Sequence, residues 1–354
     1  MGADRVMKIG IIARSDNTGL GNQTMELVKM LNPDKIMLID SSKFNSNKQH
    51  PERYSGYNYI TTKMGFASSE EVRELVREVD VIISCETFYN NRLAMYARKR
   101  GVKTVLQYNY EFLDNLSNPD APLPDVLLAP SVWNLEDVED RFGRLAVVEH
   151  LPPPTDPTIF AKAKNNNLKR HKKLLHIAGK VADKDRNGTE SVIEMMKHST
   201  ADFTLDIKTQ SDIKIDFDDD RIKIIKDNVE DHADMYSGYD AMVLPRRYAG
   251  LCLPMNEALM SGLPVFMTDV SPNNHVLPAE WLVKSSKIDT LMTRTMLNVY
   301  SADPKELAKI VDNYMSSEDL AEDKKSAYEI GYNNFATDVL RDKYNKVLSR
   351  TIAR

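Results

Sequence analysis

Short, nearly continuous apolar runs recur along this chain, with helically spaced segments between them, and that alternation restricts the fold more than any other feature. Residues 7–13 form one such run, suited to a strand covered on both faces. A loop with Gly19 and Gly21 follows. Residues 22–31 then read as a helix ended by Pro33, with Asn22 or Thr24 placed to cap it. Further strands are expected at 35–40, 80–85, 102–108, 125–129 and 145–149, and helices at 69–79, 91–99 and 135–142. Alternation of this kind builds βαβ units on a parallel, doubly wound sheet.

The pattern breaks at Pro152, Pro153 and Pro154, which join neither a helix nor a central strand and hold the chain extended. With the polar run 162–173 behind them, they mark residues 156–172 as a linker. The alternation then restarts, with strands expected at 174–178, 203–208, 221–226, 241–245 and 264–268 and helices at 189–197, 229–237 and 254–261. No sequence repeat relates the halves. From Pro304 the chain reads as helical. Leu307, Ile310, Val311 and Tyr314 make one apolar stripe, and Tyr344, Val347, Leu348 and Ile352 make another.

The expected architecture is therefore α/β, with Rossmann-like domains at 1–155 and 173–325 and a helix at 326–354 packing back on the first. A length of 354 residues accommodates two such cores. Domains joined in this way are expected to face a cleft, with ligands at the carboxyl ends of the strands.

Composition narrows the classes. Hydrophobic residues at 42% and charged residues at 28% exclude a disordered or fibrous chain. The two cysteines, Cys85 and Cys252, lie in apolar runs and read as small buried side chains, neither a disulfide framework nor a zinc site. No run is long enough to span a bilayer, and the first residues lack a signal-peptide layout, so a cytoplasmic protein without a membrane span is expected. A net charge of -5 does not advertise a nucleic-acid surface, although a local cleft can still be basic.

Three constellations carry chemistry. In the first, Gly19 and Gly21 join a strand to a helix whose N–H groups favour an anion. The third glycine of a dinucleotide fingerprint would fall on Thr24, and no P-loop lysine follows. In the second, a strand ends at Gly179 and Lys180, and Arg186 and Asn187 precede a helix; two cations beside a helix start suit a diphosphate. In the third, a strand ends at Pro245, the loop Arg246–Cys252 leads into a helix near Leu253 and Pro254, Glu257 lies in its first turn, and Gly262 ends it. A carboxylate at Glu257 can accept hydrogen bonds from two ribose hydroxyls. The acidic run from Asp216 to Asp220 precedes a strand in a polar turn, and the histidines show no ligand spacing, so no metal site is expected.

The third constellation resembles the donor-site signature of the retaining GT-B glycosyltransferases (family 4, or group 1), Pro-Ser-x-x-Glu-Gly-Phe-Gly-Leu-Pro-x-x-Glu-Ala-x-Ala-x-Gly-x-Pro-Val. Pro245, Gly250, Leu253, Pro254, Glu257, Ala258, Gly262, Pro264 and Val265 match it. Gly179, Lys180 and Arg186 resemble the family's glycine and diphosphate-binding basic pair, residues 150–160 its interdomain segment, and the Gly19/Gly21 loop its N-terminal glycine loop. The wording of residues 17–24 is also similar to glycosyltransferase-like proteins of tailed phages.

The resemblance implies a metal-independent retaining transferase using a UDP- or GDP-sugar and no other cofactor. Lys180, Arg186 and Glu257 are the implied catalytic residues. Gly19, Gly21, Gly179, Asn187, Arg246, Gly250, Leu251, Cys252, Leu253 and Pro254 would bind the donor, and Asp16, Glu86, Tyr108, Asn109 and Glu111 the acceptor. The phage likeness adds a hydroxymethylated pyrimidine in DNA as an acceptor and the host cytoplasm as the location; a glycan, lipid or protein acceptor stays open. A monomer or weak dimer is expected.

Two departures stand out: Ala249 occupies the position of the family's first glutamate, and the family's loop histidine is absent, Tyr108, Asn109 and Glu111 lying there instead. They keep a second reading open, a GT-B scaffold that binds a nucleotide as a regulatory subunit. An epimerase on the same scaffold is a weaker third.

Overall fold

The computed structural model describes residues 7–43, 47–118, 122–181, 185–226 and 231–354. The chain divides into two compact units, one of 1–154 with 337–354 and one of 155–336.

Among the described residues, unit 1 is built on a seven-stranded sheet. Its strands are β1 (Ile9–Arg14), β2 (Lys35–Ile39), β3 (Tyr59–Thr61), β4 (Val81–Cys85), β5 (Lys103–Gln107), β6 (Val126–Ala129) and β7 (Val147–His150). All pairings are parallel, in the order β3-β2-β1-β4-β5-β6-β7. The order reverses between β1 and β4. The helices are α1 (Gly19–Leu31), α2 (Ser69–Leu75), α3 (Leu93–Arg98) and α4 (Leu135–Phe142). One sheet face packs Ile9, Ile11, Ile83 and Val105 with Leu27 and Val28 of α1, and the other packs Ile12, Met37 and Ile82 with Val72 and Leu93. Helix α1 starts earlier than expected, at Gly19, because Thr18 is its cap and accepts from Gly21 N at 3.2 Å. Thr24 instead accepts from Arg14 N (3.1 Å).

Unit 2 begins with α5 (Pro157–Asn167), in the stretch expected to be a linker. Its buried face is narrow and partly polar, Phe160, Ala163 and Asn167, so composition hides it. Asn167 accepts from Gly238 N (2.8 Å) and donates to Tyr236 O (2.8 Å) and Ser261 O (2.9 Å), which makes its amide part of the core.

The six-stranded sheet of unit 2 comprises β8 (Lys173–Gly179), β9 (Thr204–Thr209), β10 (Ile222–Ile225), β11 (Ala241–Val243), β12 (Val265–Thr268) and β13 (Leu282–Val283). It is parallel, in the order β10-β9-β8-β11-β12-β13, and reverses between β8 and β11. Helices α6 (Thr189–Met196), α7 (Leu253–Met260), α8 (Pro304–Ser316) and α9 (Ala321–Phe335) accompany it. The helix expected at 229–237 is a short 3-10 turn at His232–Tyr236, and residues 229 and 230 lie outside the described residues. An antiparallel hairpin, β14 (Ser285–Met292) and β15 (Met296–Ala302), was not expected. Its two strands carry few apolar side chains in alternation, and only β15 buries a face, through Leu297 and Val299.

The returning helix starts at Thr337, not 326. Helix α9 belongs to unit 2, with Gly331 close enough to α7 that a β-carbon there would meet the Leu259 backbone at 2.9 Å. Helix α10 (Thr337–Ala353) belongs to unit 1, where Leu340, Tyr344, Val347 and Leu348 fill the core. Gln107 binds it there, donating to Leu151 O (2.8 Å) and Tyr344 Oη (3.0 Å) and accepting from Gln23 (2.6 Å).

The buried ion pair of unit 2 gives a stability test. Lys324 Nζ lies 2.7 Å from Asp240 Oδ1, with 3% and 0% of the two side chains exposed. Lys324→Met strands the carboxylate and is expected to cost about 3–5 kcal/mol in denaturant unfolding. The double variant with Asp240→Asn should recover part of that loss.

Candidate functional site

The switch point of unit 2 brings two loops together beyond β8 and β11. Gly188, φ 70°, lies so close to the second loop that a β-carbon would meet Pro245 O at 2.4 Å. Arg247 N donates to Arg186 O (2.9 Å), and the Arg186 guanidinium lies over the Tyr248 ring at 5.2 Å. Glycine is required at 188 on both counts.

His176, fully buried in β8, fastens the same region from below. Nδ1 lies 2.8 Å from Val243 O and Nε2 2.9 Å from Thr189 Oγ1. A carbonyl only accepts, so the proton sits on Nδ1 and Nε2 accepts from the threonine hydroxyl. Burial holds this imidazole below its ordinary 6.5 and keeps it neutral.

The two loops use their polar groups differently. Asn187 Nδ2 donates to Ile177 O (2.9 Å) and Ala178 O (3.2 Å), so its amide nitrogen shapes the loop and is not open to a ligand. Asp185 accepts from Thr189 N and Glu190 N, each at 2.9 Å. The N-terminus of α6, expected to attract a diphosphate, is therefore already occupied by the chain's own carboxylate. The α7 N-terminus has no side-chain cap at Cys252. Lys180 and Arg186 are exposed, and neither forms an ion pair among the described residues.

Glu257 is the fifth residue of α7, one residue deeper than a start at Pro254 would place it, because the helix starts at Leu253. Its side chain is 13% exposed, and Oε2 accepts the Tyr236 hydroxyl and lies 3.1 Å from His232 Nε2. Phe160 packs edge-on against both rings, at 6.0 and 5.8 Å. Sequence reasoning missed His232 and Tyr236. Their spacing of four suggested a helix, and nothing in it pointed to Glu257. Helix α7 ends in a Schellman cap, with Leu263 N on Ala258 O (3.0 Å), Gly262 N on Leu259 O (2.9 Å) and Gly262 at φ 68°. Ala249 has φ 102°, a conformation that strains a residue with a β-carbon.

Unit 1 offers a separate cavity of about 490 Å³ beyond β4 and β5, lined by Glu86, Phe88, Asn90, Tyr108, Asn109 and Phe112 among others. The Tyr108 hydroxyl is buried without a hydrogen-bond partner, and burial pushes its pKa up. Three expected residues fall elsewhere. Asp16 is fully buried and accepts from Ser41 Oγ (2.6 Å), Arg14 Nε (3.0 Å) and Thr18, partners that lower its pKa against the opposing effect of burial. Glu111 is 8% exposed and outside the cavity lining. A β-carbon at Gly21 would meet Asp16 O at 2.0 Å, so the loop's own packing requires this glycine.

Among the described residues no three His, Cys, Asp or Glu side chains are grouped to hold a metal ion, and no helix is long and apolar enough to cross a membrane. The chain matches no protein-family sequence model and no curated protein sequence. It is similar in structure to sucrose-phosphate synthase from Thermosynechococcus elongatus, at 14% identity and a TM-score of 0.67, covering 98% of this chain and 99% of that one. HepE of Anabaena, solved with UDP and glucose, is similar at 11% identity and 0.68, over 97% and 99% of the two chains. A glycosyltransferase from Rickettsia africae is similar at 10% and 0.69, over 98% of each. At these identities the likeness shows the fold, which is the GT-B architecture.

His176 yields a pH test. Its folded-state pKa lies below the unfolded 6.5, so protons bind the unfolded chain first and stability falls as pH drops through 6.5. His176→Gln should flatten that part of a stability–pH curve measured by denaturant unfolding.

Proposed function

We propose that this chain is a glycosyltransferase that takes a sugar from a nucleoside diphosphate and gives it to an acceptor hydroxyl with retention. One observation carries the reading. On a GT-B fold, the β8–α6 loop of unit 2 presents two exposed cations, Lys180 and Arg186, and Arg186 touches the adjoining loop that leads into α7, a helix start without a side-chain cap.

Lys180, Arg186 and the N-terminus of α7 would neutralise the departing diphosphate. Glu257, which accepts the Tyr236 hydroxyl, would also accept from the ribose hydroxyls. The bond from the anomeric carbon to the phosphate oxygen breaks as the acceptor oxygen bonds to that carbon on the same face. The acceptor's proton passes to the leaving phosphate. This asks the protein for position and countercharge, not a strong base, and no metal ion is invoked.

The acceptor would enter the cavity of unit 1, whose lining includes Glu86, Tyr108 and Asn109. Among the described residues its lining contains no lysine or arginine, which suits an uncharged ring bearing hydroxyls. A hydroxymethylated pyrimidine in DNA fits with its phosphates outside the cavity. Ala249 favours a second reading, a nucleotide-binding scaffold without transfer.

A ligand at a hundred times its Kd stabilises a protein by about 2.7 kcal/mol, so a nucleotide-sugar panel should raise Tm for at least one donor. Lys180→Ala and Glu257→Ala, if folded, should each lower turnover by roughly a hundredfold. Full activity in either would refute the site, and binding without any turnover would support the scaffold. For DNA as acceptor, KM should rise steeply with salt; a flat response would exclude it.

A further inference from the structure

Arg246 is a buried cation without a counter-charge among the described residues. The residue is 6% exposed, Nη1 donates to Leu251 O at 2.8 Å, and Nε has no partner. It forms no ion pair with a carboxylate among the described residues. Lys324, also buried in unit 2, is by contrast neutralised by Asp240 at 2.7 Å. A guanidinium out of water with no counter-ion is unfavourable, and this one stands just beyond β11 at the switch point. The carbonyl it holds belongs to the residue before Cys252, the N-cap of α7 that lacks a side-chain bond. The orphaned guanidinium and the uncapped helix end both point to an anionic group brought by a ligand.

The identity of that anion follows from the loop, given the nucleotide-sugar reading on which this inference rests. Lys180 and Arg186, exposed on the β8–α6 loop, already offer two charges to a diphosphate. Arg246 is a third, from the other loop. Between Arg246 and Leu251 the loop carries no carboxylate and no amide that would accept from a sugar hydroxyl, and Ala249 offers only a methyl group. What it does offer is a fork of donors, the complement of a planar carboxylate. We propose that the transferred sugar is a uronic acid and that Arg246 binds its carboxylate.

The test is calorimetric binding of UDP, UDP-glucose and UDP-glucuronate to the full chain, with GDP-mannose and GDP-mannuronate as a parallel series. The uronate is expected to bind about tenfold or more tightly than its neutral counterpart. Arg246→Gln should erase that ratio, and Arg246→Lys, which keeps the charge but loses the fork, should retain part of it. Equal or tighter binding of the neutral sugar nucleotide overturns the proposal, and this comparison needs no variant. Arg246→Gln weakening UDP and UDP-glucuronate by the same factor also overturns it, by assigning Arg246 to the phosphates. If the nucleotides bind and the uronate shows no advantage, only this inference falls. If no nucleotide binds at all, the donor reading falls with it.

Discussion

Asp240 stands at the foot of β11 with none of its side chain in solvent, and its neighbours are arranged around that charge. Lys324 reaches it from α9, the amide of His171 donates to both oxygens at 3.1 Å, and the Tyr314 hydroxyl of α8 donates to its backbone carbonyl at 2.9 Å. Lys324 also donates to Asn167 O at 2.5 Å, which brings in the end of α5. The strands flanking the switch point are thus fixed to their helices at one end by a satisfied network, with no water needed to complete it. The opposite ends of β8 and β11 lead into the loops that carry Lys180, Arg186 and Arg246, and the base of the sheet supplies the rigidity that such loops need.

Charge follows the same division. Net charge reports nothing about it, because it does not show which cations of unit 2 have acidic partners, as Lys197 has in Glu194, Arg221 in Asp219 and Lys226 in Asp212. Lys180, Arg186 and Arg246 form no ion pairs among the described residues, and they come from two adjoining loops. A chain that is acidic overall still concentrates unpaired positive charge where two strands diverge.

Much of this was legible in the amino-acid order, for identifiable reasons. Parallel strands buried on both faces are apolar throughout, so β1, β4, β8 and β12 announced themselves. The Pro254–Glu257–Gly262 spacing located α7 because proline at a helix start and glycine at its end answer to backbone geometry. What was hidden depends on contacts between distant segments. Asn167 makes a polar stretch helical by satisfying backbone groups about seventy residues away, which no local pattern displays. Gly21 looked like a glycine cleared for a ligand, and only the folded loop shows that Asp16 also requires it. Asp185 and the α6 start are neighbours in sequence, yet only the turn between them shows that the carboxylate takes the anion's place.

Helix α10 has a consequence for synthesis. Unit 1 begins the chain, but its core is closed by Leu340, Tyr344, Val347 and Leu348, and the Gln107 amide finds its phenol only in that helix. Unit 2 lies wholly between. On the ribosome, unit 2 can therefore complete its fold while unit 1 still waits with α1 and β5 uncovered on one side. The domain made first is finished second, and its exposed apolar face is the one a nascent-chain chaperone would meet.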